Sequence, residues 1–295
     1  MQNITKHPEK MKIVEWKCTS VFRWIHVRCL IHYSLETIKL KKYIFVICVL
    51  SVVNNYAQSP WRLSDHNNIG WYTTIGTVKF ASKWSLHMEY QWRRDNYLTT
   101  WQQSLLRTGI NYHLNENTIA RLGYSWIETF PYGDHSINKF GKQFTEHRTY
   151  QTITINQKIG RFDLSNRYML EQRWLATYNN AFSSEVDKWT YVNRLRYLGR
   201  VQTSLKGKTI TDNCPYAALY DEIMIGFGQN VGENIFDQNR LGILFGWRFN
   251  KNVRIEGGYF SQILQLGRSL NDQNIFQYNN GFIINTFWNT DVQPK

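Results

Sequence analysis

Arg167, Glu171 and Arg173 fall within seven residues of one another, and Arg194 and Arg196 follow after a short interval. All share the parity of their segment, so each set projects from one face of an extended chain. Guanidinium and carboxylate groups so spaced support two kinds of chemistry. The planar Arg fork closes onto a carboxylate through paired charge-assisted hydrogen bonds and fills a confined space with ion pairs. Alternatively, Arg in excess over Glu holds an oxyanion, which makes a narrow path or binding site for a small anionic solute. Glu89, Arg107 and Glu222 belong to the same set, on the polar side of their own alternating stretches. Basic residues outnumber acidic ones on that side, so both readings stand, with structural fill the more economical.

Nucleophilic and metal chemistry find less support. Ser85 and His87 share a face, and His113, His135, Ser136 and His147 lie further along the chain. A hydrolase acting on lipid or lipopolysaccharide needs a Ser, a His and an orienting polar group together at an accessible surface. The alternation places Ser85, His87 and His113 inward, and no G-x-S-x-G occurs. The eight His are dispersed and no C-x-x-C is present, so no metal site and no cofactor is expected, and no catalytic residue is assigned. Gly226-Phe227-Gly228 lies on an extended stretch with no helix after it, so it is not a phosphate loop.

The elements that must carry these side chains alternate with period two. Trp84, Leu86, Met88, Tyr90 and Trp92 interleave with Ser85, His87, Glu89, Gln91 and Arg93. Leu241, Ile243, Phe245 and Trp247 do the same, with only Leu244 out of step. The pattern predicts long strands at 68–80, 84–94, 101–114, 118–130, 147–159, 162–174, 189–205, 215–228, 237–249, 253–265 and 275–289. A soluble strand averages about 5–6 residues, whereas a strand crossing a membrane at a tilt needs about 9–11. Short Asn/Gly turns alternate with longer loops at 95–100, 131–146, 175–188, 229–236 and 266–274. That plan predicts an all-β, antiparallel transmembrane β-barrel. An even strand count then requires a further upward strand over Pro60 to His66, making about 12, with 10 possible. Trp84, Trp247 and Trp288 are placed at the short-turn rim of the apolar band, and Trp92, Trp126, Trp174 and Trp189 at the opposite rim. The alternative architecture is a soluble periplasmic β-sandwich.

Residues 40–58 read as a signal peptide: Lys41 and Lys42, an apolar core from Tyr43 to Val53, then a small-residue site near Ala57. Residues 1–39 show no apolar period and are expected to be a mis-annotated upstream extension, leaving 59–295 as the barrel. Residues 1–58 carry nine basic and three acidic residues, so the net charge of +13 falls to +7 without them. A nucleic-acid partner is therefore not expected. The mean hydropathy of −0.48 does not argue for solubility, because alternation averages an apolar face against a polar one.

Asn166-Arg167-Tyr168-Met169-Leu170-Glu171-Gln172-Arg173-Trp174, followed by Asn193-Arg194-Leu195-Arg196-Tyr197, resembles an uncharacterised, domain-of-unknown-function family of exported barrel proteins from Bacteroidetes-type bacteria. Lys83 to His87, Leu106 to Tyr112 and Gly123-Tyr124 share the likeness, which covers about 65–290. The resemblance implies the outer membrane, and hence lipid, lipopolysaccharide and the barrel-assembly machinery as partners; it implies no activity. One departure is the tail from Asn289 to Lys295 after Phe287-Trp288, where such barrels usually end on an aromatic.

Overall fold

The computed structural model describes residues 62–293. The expected upstream extension and signal peptide lie outside the described residues. Among those described, there are eleven strands and no helix: β1 (Arg62–Lys79), β2 (Trp84–Asp95), β3 (Thr100–His113), β4 (Thr118–Thr129), β5 (Phe144–Ile159), β6 (Phe162–Thr177), β7 (Lys188–Ser204), β8 (Cys214–Phe227), β9 (Phe236–Arg248), β10 (Val253–Leu270) and β11 (Gln273–Asp291). Each strand pairs antiparallel with its sequence neighbours, and the sheet closes on itself where β1 meets β11.

The closure corrects the expected count of twelve. Residues of the supposed extra strand, from Arg62 to His66, are instead the beginning of β1. An up-and-down sheet with an odd number of strands can close only by a parallel pair, and β1 runs parallel to β11 from Arg62↔Asn274 to Lys79↔Asp291. Parallel pairing is slightly weaker per residue than antiparallel pairing. The seam compensates with length and with side-chain links. Asn67 donates to Asn279 at 3.0 Å, and His66 stacks on Tyr278 at 5.0 Å between ring centres. Close approach also matters: a Cβ at Gly281 would lie 1.7 Å from the Ile69 carbonyl oxygen, so only glycine fits.

One connection departs from expectation. No long loop separates β10 from β11. The strands continue to a two-residue turn, Asn271-Asp272, with φ of 50° and 59°, the left-handed pair a tight hairpin demands.

Period-two alternation puts one face of every strand outside. On β4, Leu122, Tyr124 and Trp126 are exposed while Ser125 and Ile127 are buried. On β9, Ile243, Phe245 and Trp247 are exposed. The inner face is mainly polar, but not wholly. Trp71, Tyr216, Tyr220, Leu244, Phe260 and Ile283 form an apolar cluster inside the barrel. Leu244, the one residue out of step in its stretch, is thus an interior position beside these rings. Tyr220 lies over Gly242 of the next strand, where a Cβ would be 2.2 Å from its ring. Side chains of this size fill a narrow barrel without leaving a wide channel.

Candidate functional site

The charged residues converge on the interior of the wall formed by β5 to β9. Register explains which groups meet. Glu171 on β6 lies directly opposite Arg194 on β7, and Glu222 on β8 opposite Arg240 on β9. Arg148 on β5 lies opposite Arg173 on β6, a like-charge pair that is unfavourable by itself. Glu146, two residues from Arg148 on the same face, removes the conflict. Its Oε1 accepts from Arg148 Nε at 2.6 Å and from Arg173 Nε at 2.5 Å.

The pairing extends across the wall. Arg194 Nε donates to Glu171 at 2.6 Å and Arg194 Nη1 to Asp237 at 2.5 Å. Arg196 bridges Glu171 at 2.9 Å and Glu222 at 2.7 Å. Arg167 reaches Glu222 at 2.8 Å. Glu171 is wholly buried and Arg194 is 1 % exposed. A separate cluster on β2 and β3 joins Arg107 to both oxygens of Glu89, at 3.1 and 3.0 Å, with His87 on the same carboxylate at 3.3 Å. On the other side of the barrel Arg200 and Tyr216 share Glu256. Ionic groups removed from water persist only when paired and hydrogen-bonded, and these meet that condition.

Above this network, at the end bearing the longer loops, lies a cavity of about 610 Å³. Glu146, Arg148, Arg173 and Asp237 belong both to its lining and to the ion-pair network, so the network forms its floor. A second cavity of about 270 Å³ opens at the short-turn end around Tyr216, Arg248 and Arg254, and the two share no lining residue. The loop from 130 to 143 turns inward over the upper cavity. Tyr132 is buried, donates to Gln277 Oε1 at 2.7 Å and accepts from Asn279 at 3.3 Å. The backbone N–H of His135 donates to Asp65 at 3.1 Å, and Arg268 donates to the Ser136 carbonyl. Burial pushes the Tyr132 phenol up to about 12. The loop is therefore anchored on the β1–β11 seam.

The eight charged residues singled out in the sequence are thus brought into two groups. Arg167, Glu171, Arg173, Arg194, Arg196 and Glu222 share one network, whereas Arg107 and Glu89 pair with each other. The seven tryptophans all occupy outward positions of their strands. Trp84 packs on Tyr112, Trp92 on Tyr72 and Trp101, Trp174 on Tyr191 and Trp189 on His147. Trp126 and Trp247 are exposed, and Trp288 covers Gly76 on the neighbouring strand.

Two members of the network escaped the sequence reading. Glu146 falls in the expected loop 131–146, yet β5 begins at Phe144 and gives it the parity of Arg148, the one signal in the sequence. Asp237 had no such signal. A β-bulge sets Met224 against Gln238 but Ile225 against Phe236, and this irregularity swings Asp237 inward against the parity of Arg240. The two added carboxylates reduce the basic excess that composition alone suggested.

Ser85 does meet a histidine, but it is His113, not His87: Oγ to Nε2 is 3.1 Å. Asn111 donates to the Ser85 oxygen at 2.9 Å. In a nucleophilic triad the third group orients the histidine; here it binds the serine itself. Ser85 is completely buried. The contact therefore closes off interior hydrogen bonds near the short turns rather than presenting a nucleophile. His147 faces outward against the Tyr124 hydroxyl at 2.5 Å. Among the described residues no group of His, Cys, Asp and Glu is arranged to hold a metal.

No curated protein and no solved structure matches the chain. A family model does match, over residues 68–274, most of the barrel from β1 to the start of β11. The chain belongs to the family described as a protein of unknown function, DUF2490.

Proposed function

We propose that the chain is an outer-membrane β-barrel of a Bacteroidetes-type envelope, with a lumen sealed by ion pairs and a receptive cavity at its outer end. It contacts lipid and lipopolysaccharide along its wall and reaches them through the barrel-assembly machinery. The carrying observation is the distribution of side chains across the wall. Large apolar residues such as Leu122, Ile153, Leu195, Ile243, Phe245 and Phe282 are about half or more exposed outside, whereas Glu171, Arg194, Arg196 and Glu222 are buried inside. A monomeric protein in water rarely leaves a contiguous apolar patch above a few hundred Å². An apolar band around the barrel suits hydrocarbon, where charges are affordable only inward. Short turns then face the periplasm and the longer loops face outward.

Sealing rather than conduction follows from the same pairs. An open cationic channel needs Arg groups free to exchange partners with a passing solute, and here Arg167, Arg173, Arg194 and Arg196 are committed to Glu146, Glu171, Glu222 and Asp237. The test is planar-bilayer recording with purified protein, combined with heat-modifiable gel mobility. Folded protein that requires detergent and passes no steady current supports the reading. Protein that stays monomeric in buffer without detergent removes the membrane assignment, and regular conductance steps remove the seal.

A further inference from the structure

Arg93 on β2 and Arg240 on β9 differ from the other buried arginines of the network. Arg93 has no carboxylate within ion-pair distance among the described residues. Its guanidinium donates to the neutral carboxamide oxygens of Gln91 and Gln103, the Nε bond being 2.8 Å. Arg240 donates to the Gln238 carboxamide at 2.7 Å. Among the described residues its only carboxylate partner is Glu222 at 3.5 Å, and that group is already held more closely by Arg167 and Arg196. Arg240 Nε is buried and has no acceptor among the described residues. A buried donor without an acceptor is uncommon enough in folded proteins to require a reason.

Both guanidiniums lie against one indole. Arg93 Cζ is 3.9 Å and Arg240 Cζ 4.8 Å from the Trp71 ring centre. The ring is fixed by its own Nε1 donating to Gln102 at 2.7 Å and by Phe260 packed at 4.5 Å. Two cations are thereby held near one another at a buried site, a costly arrangement unless an anion joins them. Cation–π contact engages guanidinium faces and leaves N–H edges to recognise an oxyanion.

Arg93, Arg240, Trp71 and Gln102 all line the 610 Å³ cavity, within the usual range for a small-molecule site. The lining contains seven cationic side chains and three carboxylates. Of those carboxylates, Glu146 and Asp237 are occupied by the network below, and Asp187 accepts from Asn179. Apolar side chains complete the lining: Ile137, Phe140, Phe144, Val231, Leu264 and Leu266.

We propose that this cavity binds a small organic oxyanion, a carboxylate, sulfate or phosphate monoester, with its acidic group between Arg93 and Arg240 and its apolar body against Phe140 and Phe144. The site goes beyond the barrel assignment and does not rest on it, because the cavity is internal whether lipid or water surrounds the wall.

Isothermal titration of the folded full-length protein in nonionic micelles tests the proposal. The probes are phenyl phosphate, inorganic phosphate and benzylammonium. Phenyl phosphate is expected to bind saturably at one site, and benzylammonium not at all. Arg93→Gln and Arg240→Gln each weaken phenyl phosphate about 10- to 100-fold, the usual loss of a charge-assisted hydrogen bond. Phe140→Ala weakens phenyl phosphate while leaving inorganic phosphate unchanged. Heat-modifiable mobility confirms that each variant is folded; should Arg93→Gln not fold, Arg93→Lys and Phe140→Ala carry the test. Absence of saturable binding, equal binding of benzylammonium, or unchanged affinity in the Arg variants overturns the site. Equal affinity for inorganic and phenyl phosphate overturns the role of the apolar wall.

Discussion

Glu171→Gln is the sharpest perturbation of the interior. The substitution keeps shape and one acceptor but removes the charge that faces Arg194 at 2.6 Å, Arg196 at 2.9 Å and Arg148 at 3.7 Å. Glu171 is wholly buried, and Arg194 and Arg196 are nearly so, so water cannot take over its role. Breaking a buried ion pair by removing one partner costs about 3–5 kcal/mol, because the remaining charge stays desolvated. Arg194 retains Asp237 and Arg196 retains Glu222, which limits the loss to that range rather than a multiple of it. The assay is urea unfolding in detergent micelles followed by tryptophan fluorescence, with a lowered midpoint and unchanged slope expected. The double variant Glu171→Gln with Arg194→Gln should lose less than the sum of the two singles, since each single strands the other's charge. A loop substitution, Glu185→Gln, should fall within about 0.5 kcal/mol of the parent. A loss below about 1 kcal/mol for Glu171→Gln, or strict additivity in the cycle, would falsify the claim that these pairs hold the interior together.

Further outcomes follow from other parts of the barrel. Gly281→Val places side-chain atoms into the Ile69 backbone and should prevent closure of the seam, seen as loss of heat-modifiable mobility; a variant that folds normally contradicts the parallel register. Leu122→Arg on the outer face should cost about 2–4 kcal/mol for refolding into lipid vesicles if that position meets the bilayer midplane. Refolding unaffected by this change counts against lipid contact. The Tyr132 phenol is raised from its ordinary 10 to about 12, so docking of the 130–143 loop retains its full contribution below pH 10 and loses it as pH rises toward 12. Limited proteolysis within that loop, by a protease active at high pH and normalised to an unstructured control peptide, should accelerate over this window, and Tyr132→Phe should abolish that rise. A normalised cleavage rate that stays flat from pH 10 to 12 in the parent speaks against the buried anchor.

Much of the wall was legible because alternation has a single cause. A strand presents successive side chains to opposite faces, so an apolar and a polar set at period two already separates outside from inside. The outward tryptophans, and the shared face of Arg167, Glu171 and Arg173, followed from that parity. The strand count did not, since parity fixes which side a residue faces and not how many strands close the ring. The His66 region carries the parity of β1 and belonged to it. The β10–β11 hairpin was hidden for a related reason. Asn271-Asp272 is a strong turn dipeptide, but its polar flanks resembled a long loop.

The inner partners were less legible, because they depend on which strand lies beside which and at what register. Glu171 could be placed inward from its own segment, but only the pairing of β6 with β7 makes Arg194 its neighbour. Asp237 needed a bulge, and the meeting of Ser85 with His113 needed the register that sets Ser85 opposite Asn111, two residues from that histidine. The cavity is more remote still. Arg93 and Arg240 are far apart in sequence and reach one indole only because the barrel closes through β1, which carries Trp71.

The sequence by itself determined a long-stranded all-β wall with one apolar and one charged face, since both follow from side-chain alternation along a single chain. The tertiary structure alone decided that the wall closes with eleven strands through a parallel seam. It also decided that most inward arginines close onto carboxylates, while Arg93 has none within ion-pair distance among the described residues and Arg240 only the shared Glu222. The physical reason is that closure and charge balance are properties of neighbours across the sheet, and register between strands is set by the packing of the whole ring.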